Sequence, residues 1–149
     1  MTNNDALRSI AYLLQISDSK VVEVVALGGG STTLEDILAY MKREEDPEHV
    51  PCPHKVMAHF LNGLVIFKRG RLEGAPDAPV EVPVTNNLIL KKLRVAFELT
   101  DDGIATILAK AGLSVSKSER SAFFRRPDHR NYRECGDQVL RNVIRGLTR

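Results

Sequence analysis

Apolar side chains recur along the chain at intervals of three and four residues, the spacing that places them on one face of an α-helix. Near the N-terminus this stripe comprises Leu7, Ile10, Ala11 and Leu14. A longer stripe comprises Val56, Met57, Phe60, Leu61 and Leu64. Both stripes return later in the chain, at Leu90, Leu93 and Phe97 and at Val139, Leu140, Val143, Ile144 and Leu147. The pattern predicts amphipathic helices and an all-α fold.

The later stripes repeat the earlier ones at a constant offset, which indicates an internal duplication. Thr2-Asn3-Asn4 returns as Thr85-Asn86-Asn87, and residues 2–64 align with residues 85–147 without a gap. In the same alignment Cys52 meets Cys135. The sequence therefore predicts a tandem duplication of a four-helix unit, with the two copies packed about a pseudo-two-fold axis.

The duplication divides the chain into three segments. Residues 1–69 are predicted to form the first helical repeat, residues 70–84 a linker rich in glycine and proline, and residues 85–149 the second repeat. Glycine and proline favour turned or extended backbone, so we expect an extended linker. Neither repeat has an ample core of its own at this length, and we therefore expect one cooperative domain.

Polar residues and glycines mark the expected helix ends. The predicted N-caps are an asparagine of each Thr-Asn-Asn segment for the first helix, Asp18 and Asp101 for the second, and Thr33 and Ser116 for the third. Glycines at Gly28-Gly29 and Gly112 are predicted C-terminal caps of the second helix, where a positive φ is required.

Gly63 and Gly146 lie inside the predicted fourth helix of each repeat. A glycine there costs about 1 kcal/mol relative to alanine. Its presence in both copies indicates that another backbone passes close by, and we expect this to be the matching helix of the other repeat. Inheritance from the ancestral unit, without a packing role, is the alternative.

Three stretches of the sequence resemble the YehS-like family of small bacterial proteins, which carry a domain of unknown function twice. These stretches are the Thr-Asn-Asn opening, the segment from Phe123 to Gln138 and the ending from Leu140 to Leu147. The resemblance covers nearly the whole chain. It implies the duplication and a cytosolic bacterial origin, but it supplies no activity and assigns no functional residues.

A polar loop between the third and fourth helices of the second repeat is the first candidate site. Its candidate residues are Arg125, Arg126, His129, Arg130, Asn131, Tyr132 and Arg133. Guanidinium groups, an amide and a stackable ring suit phosphate and base contacts. The same density of cations suits an acidic protein or a small anion. A third interpretation is structural, with these side chains tying a long loop to helix ends.

The two repeats differ in charge. Residues 2–64 contain 5 Lys and Arg against 9 Asp and Glu, whereas residues 85–149 contain 13 against 7. Repeats of opposite charge can hold each other together, or the basic one can face an anionic partner. The sequence pI of 8.6 lies below the value above about 9 that is typical of dedicated nucleic-acid binders.

A helix-turn-helix is a second interpretation of the basic repeat. Residues 104–110 would form its first helix, residues 111–115 the turn, and residues 116–126 the recognition helix. Such a recognition helix would present Lys117, Arg120, Arg125 and Arg126 to DNA.

His49, Cys52, His54 and His59 have the composition of a zinc site. The second repeat serves as an internal control, because only the thiol recurs there, as Cys135. We therefore expect buried packing thiols, no metal and no cofactor. Cys52 and Cys135 are also candidates to lie near each other across the pseudo-two-fold axis.

The remaining patterns favour a cytoplasmic protein without enzymatic activity. No stretch approaches the ~20 apolar residues of a membrane span, and the N-terminus lacks the features of a secretory signal. No phosphate-binding loop or nucleophile arrangement is recognisable.

The first functional hypothesis is a binding protein that engages an anionic partner, RNA or DNA, through the basic loop. The second is a protein-interaction adaptor or homodimer that uses the charge asymmetry and the fourth-helix faces.

Overall fold

The computed structural model describes residues 1–71, 73–74 and 76–148. Within this part of the chain the fold is all-α, with eight helices in two compact units, of which the first comprises Met1–Val84 and the second begins at Thr85. The helices of unit 1 are α1 (Asn3–Leu14), α2 (Asp18–Leu27), α3 (Leu34–Met41) and α4 (His54–Arg69). Those of unit 2 are α5 (Asn86–Ala96), α6 (Asp101–Lys110), α7 (Lys117–Phe123) and α8 (Asp137–Thr148). The predicted duplication of a four-helix unit is confirmed.

The first three helices of each unit begin at a hydroxyl residue, whereas α4 follows Pro53 without a side-chain cap. Thr33 and Ser116 cap α3 and α7 as predicted. The first-helix prediction was wrong, because Thr2 and Thr85 are the caps and the asparagines lie inside the helices. The second-helix caps are likewise Ser17 and Thr100, one residue before the predicted aspartates. The hydroxyl takes the cap, and the carboxylate that follows it lies in the first turn, where the helix dipole favours negative charge.

The apolar stripes form the core of each unit. Phe60 in α4 and Val143 in α8 occupy matching positions of the duplication, and both are completely buried. The chain turns after α2 and after α6 through Gly29 and Gly112, whose φ values are +85° and +77° as the cap prediction requires. Gly28 has a φ of −81°, so glycine is not required there by the backbone conformation.

Gly28 and Gly63 allow the backbones of α2 and α4 to touch. A Cβ on Gly63 would lie 1.8 Å from the carbonyl oxygen of Val24, and one on Gly28 would lie 1.8 Å from the carbonyl oxygen of His59. The close backbone predicted at Gly63 therefore belongs to α2 of the same unit, and the expectation of the matching helix in the other repeat was wrong.

Unit 2 has only one of these two glycines, Gly146. Ala111 stands where unit 1 has Gly28, and it is exposed, whereas Gly28 is buried against α4. Gly146 accordingly faces a side chain, because a Cβ there would lie 2.5 Å from Cγ2 of Ile107. Helices α6 and α8 consequently pack less extensively than α2 and α4 do.

The segment that follows α4 is held against unit 1. Asn62 is buried in α4, and its amide donates to the carbonyl oxygens of Ala78 and Pro79 at 3.4 and 3.2 Å. Near the end of the segment, the backbone N–H of Val84 donates to Nδ1 of His54 at 3.0 Å. Two residues of the predicted linker, Leu72 and Ala75, lie outside the described part of the chain.

Candidate anion-binding groove

A buried asparagine holds the loop between the third and fourth helices of each unit. In unit 2 the amide of Asn87 donates to the carbonyl oxygens of Phe123 and Arg133 at 3.1 and 2.7 Å. Its Oδ1 accepts the backbone N–H of Cys135 at 2.8 Å. In unit 1 Asn4 makes the corresponding three bonds, to Tyr40, Val50 and Cys52. A single side chain therefore fixes both ends of each loop against the first helix.

The middle of the loop is also the same in both units. The backbone N–H of Asn131 donates to Nδ1 of His129 at 3.0 Å, and that of Glu48 donates to Oδ1 of Asp46 at 2.8 Å in the matching turn. Because an N–H can only donate, the His129 Nδ1 must be its unprotonated nitrogen. Different side chains thus close the same turn, and the arginines of unit 2 are not needed to form it.

A groove of about 630 Å³ lies between this loop and α7. The loop residues that line it are Arg125, Arg130, Asn131, Tyr132 and Arg133. Helix α7 contributes Lys117, Ser118, Glu119, Ser121 and Ala122. Five of the seven residues singled out from the sequence are therefore brought together around one concave surface.

The groove is basic and its cations are available. Its lining contains four cations, Lys117, Arg125, Arg130 and Arg133, and one carboxylate, Glu119. Lys117, Arg130 and Arg133 form no ion pair with any part of the chain that the structure describes. Their charge is consequently free to meet an anion from solution.

Tyr132 adds an aromatic ring to the groove. The residue is partly buried, and burial, followed by the negative charge of Glu134, raises the pKa of its hydroxyl. Like any tyrosine at neutral pH, the hydroxyl is protonated and can donate a hydrogen bond. The ring and the neighbouring Asn131 amide are groups that recognise bases.

Arg126 and His129 are not part of the groove lining. The Arg126 guanidinium is 85% exposed and lies 3.2 Å from the carboxylate of Asp128. His129 uses its ring to close the turn, as described above. These two members of the candidate set therefore belong to the loop but do not line the groove.

The guanidinium of Arg120 is hydrogen-bonded within unit 2. Its Nε and Nη2 pair with the two carboxylate oxygens of Asp101 at 2.9 and 3.0 Å, and its Nη1 donates to the carbonyl oxygen of Val115 at 2.7 Å. The hydrogen bonding of the Arg120 guanidinium to the Asp101 carboxylate lowers the pKa of Asp101. Helix α7 also ends at Phe123, so the predicted recognition helix, extending to Arg126, was too long by three residues.

Of the residues with the composition of a zinc site, His54 and His59 have separate partners, whereas Nε2 of His49 is buried without a hydrogen-bond partner among the described residues. His59 bonds the carbonyl oxygen of Gly28 at 2.8 Å through Nδ1, and His54 accepts from Val84. Across residues 1–71, 73–74 and 76–148, no three His, Cys, Asp or Glu residues are grouped so as to hold a metal ion. Cys52 and Cys135 are both free, buried thiols, and burial raises the pKa of each to about 12.

Comparison with known proteins places the duplication in a family. Residues 3–70 and 86–149 match the family described as protein of unknown function DUF1456. The chain belongs to this family. Its relative "Uncharacterized protein YehS" of Escherichia coli (strain K12) is 44% identical over 147 residues, which cover 99% of this chain and 94% of the relative. No solved structure matches the chain.

Sequence reasoning missed the α7 side of the groove. Ser118 and Ser121 were not singled out, and Lys117 was assigned only to a DNA-recognition helix. Their signal was weak, because one lysine and two serines on a short helix are typical of any solvated surface.

Among the helices that the structure describes, none is long and apolar enough to span a lipid bilayer.

Proposed function

We propose that this chain is a non-enzymatic binding protein that holds single-stranded RNA in the groove of unit 2. The observation that carries the proposal is the convergence of Lys117, Arg125, Arg130 and Arg133 on one concave surface beside Tyr132. The proposed setting is the cytoplasm of a bacterium, in keeping with the Escherichia coli relative.

The groove has the three kinds of group that single-stranded nucleic acid requires. Its cations can follow the phosphates, and Tyr132 offers a face on which a base can stack. Asn131 can donate to and accept from a base edge, and the serines of α7 can bind phosphate or ribose oxygens. A small inorganic anion would engage only one or two of the cations and would leave the aromatic ring unused.

Double-stranded DNA suits the geometry less well. A recognition helix must reach base edges in the major groove with several side chains. Helix α7 has only seven residues, and Arg120, near its centre, is paired with Asp101. The available cations lie in the concavity beside α7 instead of along its outer face.

Fluorescence anisotropy with a labelled single-stranded RNA of about 12 nucleotides tests the proposal. The full chain should bind the RNA, and log K should fall with log salt between about 50 and about 200 mM. The triple variant Arg125→Ala, Arg130→Ala, Arg133→Ala should bind about 100-fold more weakly, with a salt slope smaller by about 2, because three phosphate contacts are lost.

Arg126→Ala provides the matched control. It removes the same kind of side chain from the same loop, but this arginine lies outside the groove and pairs with Asp128. Its affinity for RNA should stay within about threefold of the unmodified chain, since one partly neutralised surface charge is removed. Tyr132→Leu should weaken RNA binding by about tenfold through loss of base stacking.

Two results would overturn the proposal. One is the absence of salt-dependent RNA binding by the unmodified chain. The other is an equal loss of affinity in Arg126→Ala and in single groove variants, which would indicate attraction by net charge alone. Tighter binding of duplex DNA than of single-stranded RNA would reassign the ligand.

A further inference from the structure

The face of unit 1 that matches the basic groove has an apolar surface. Leu34 and Leu38 lie one turn apart on α3 and replace Lys117 and Ser121 of unit 2. Val50 replaces Arg133, and its backbone N–H donates to Ala39 in α3 at 3.4 Å, which places it beside the two leucines. The three side chains are 44%, 45% and 45% exposed. We call Leu34, Leu38 and Val50 the leucine face.

The fold does not require apolar residues at these positions. Unit 2 forms the same helix and the same loop with lysine, serine and arginine there. Each exposed leucine therefore lacks a structural explanation within unit 1, whereas exposed apolar residues grouped together commonly mark an interaction surface.

The leucine face carries acidic residues around it. Of the ten positions that match the lining of the groove, three are acidic, Glu35, Asp36 and Glu48, and only Lys42 is basic. The groove itself has four cations and one carboxylate. The two matching faces are therefore of opposite charge, with formal values of −2 and +3 for the same ten positions.

This charge difference decides which partner fits the leucine face. Two leucine faces in contact would bring two surfaces of net negative charge together, and such contact between like charges is unfavourable. A basic surface with long aliphatic stems is complementary, because arginine can cover leucine with its methylene groups while its guanidinium meets a carboxylate. The groove of unit 2 in a second copy is a surface of this kind.

We propose that the chain associates head to tail with itself, so that the leucine face of one copy covers the basic groove of another. Leu34 and Leu38 lie against the stems of Arg130 and Arg133 of the second copy, and Glu35 and Glu48 meet their guanidinium groups. The contact is heterologous, with different residues on its two sides. Part of its stability is electrostatic, so association weakens as salt increases.

Sedimentation equilibrium of the full chain, without nucleic acid, tests this proposal. We expect reversible self-association that depends on protein concentration and weakens at high salt. Leu34→Ser with Leu38→Ser should weaken association at least about tenfold, because the apolar contact is lost. Leu27→Ser is the control, since Leu27 is an exposed leucine of unit 1 outside this face.

Reversal of charge tests the orientation of the contact. Glu35→Lys with Glu48→Lys should weaken association, and Arg130→Glu with Arg133→Glu should do the same. A chain that carries all four changes has both faces reversed, and it should associate about as well as the unmodified chain. A circular dichroism spectrum of each variant confirms that the helices are retained.

The proposal is overturned if the unmodified chain is monomeric at all concentrations and salt levels. It is also overturned if the chain associates but neither double charge-reversal variant weakens association. Failure of the variant with all four substitutions to restore association would overturn it as well. RNA and the leucine face would occupy the same groove in turn and exclude each other, so self-association is measured without nucleic acid and its failure is distinguishable from a failure of RNA binding.

Discussion

The side-chain oxygen of Asn87 accepts a hydrogen bond from the backbone N–H of Cys135, 48 residues further along the chain, at 2.8 Å. The amide of the same side chain donates to Phe123 and Arg133. One side chain thus bonds three backbone groups, two of them in buried bonds and the third, at Arg133, in a part-buried one. The loop that lines the basic groove therefore depends on Asn87 for its position.

Replacement of Asn87 by alanine should destabilise unit 2 and weaken RNA binding. An unsatisfied buried backbone group costs about 1–3 kcal/mol. Two buried groups and one part-buried group lose their partner, so we expect a loss of about 3 kcal/mol in the free energy of unfolding. Urea denaturation measures this loss.

Asn4→Ala is the matched control for the binding effect. It removes the same three bonds in unit 1 and should cost a similar free energy of unfolding. Its effect on RNA binding should be small under conditions where both variants are folded, because its loop lies in the other unit. Equal weakening of RNA binding by the two changes would contradict a specific role for Asn87.

Gly63→Ala should destabilise the protein more than Gly146→Ala. Alanine is favoured over glycine in a helix by about 1 kcal/mol, but a Cβ at position 63 would collide with the Val24 carbonyl and force α2 and α4 apart. We expect a net loss of about 2 kcal/mol or more at position 63. At position 146 the obstacle is the Ile107 side chain, which can shift with less disturbance. Thermal unfolding of the two variants checks this order, and a larger loss at position 146 would contradict it.

The two thiols should react slowly and make the protein sensitive to alkali. Burial raises the pKa of Cys52 and Cys135 to about 12, so both are protonated at neutral pH. A thiol of an unfolded chain has a pKa of about 8.5. The contribution of the neutral thiols to stability is therefore fully present below about pH 8.5 and is lost as the pH rises towards 12.

Reaction with a disulfide reagent should consequently follow unfolding, and the urea midpoint should fall between about pH 8 and about pH 10. A chain with Cys52→Ala and Cys135→Ala should show a smaller fall, which separates the thiols from lysine and tyrosine titration. Rapid labelling of the folded chain at neutral pH would contradict the assignment.

Asp101→Asn should destabilise unit 2 at neutral pH and much less in acid. The hydrogen bond from Arg120 lowers the pKa of Asp101 in the folded chain. Its contribution to stability is thus present above the pKa of about 3.9 in the unfolded chain and is lost as the pH falls through the lower folded value. The free energies of unfolding of the variant and the unmodified chain should converge as the carboxyl becomes protonated.

Asp18→Asn is the control for this prediction. Asp18 occupies the matching position in unit 1, where Ile37 stands in place of Arg120. Its replacement should have a smaller effect at neutral pH. A pH-independent difference for Asp101→Asn would show that the side-chain amide, and not the loss of charge, is responsible.

The sequence predicted the architecture because the duplication tested each interpretation twice. The valine run at Val21, Val22, Val24 and Val25 favours a strand by propensity, but its counterpart from Ile104 to Leu108 does not, and the helix proved correct in both. The N-caps of α1 and α2 were predicted at the asparagine and aspartate that follow Thr2 and Ser17, because those residue types are also good N-caps. Only the local backbone decides between adjacent candidates.

The groove was less predictable than the fold. The arginines of the loop were recognisable by their density, but nothing in their spacing indicated that Arg126 turns towards Asp128 while Arg130 and Arg133 line the concavity. The bonds of Asn87 connect positions 36 and 46 residues apart, and no local pattern predicts contacts of that range.

Asn62 anchors the segment that follows α4, and its counterpart in unit 2 is a residue of another type. The matching position in unit 2 is Arg145, a charged and exposed residue, whereas Asn62 is buried and binds the backbone at Ala78 and Pro79. A chimaera made of two trailing copies would keep every core stripe and still leave the intervening peptide without an anchor. The ancestral module has thus become two specialised halves whose order along the chain can no longer be exchanged.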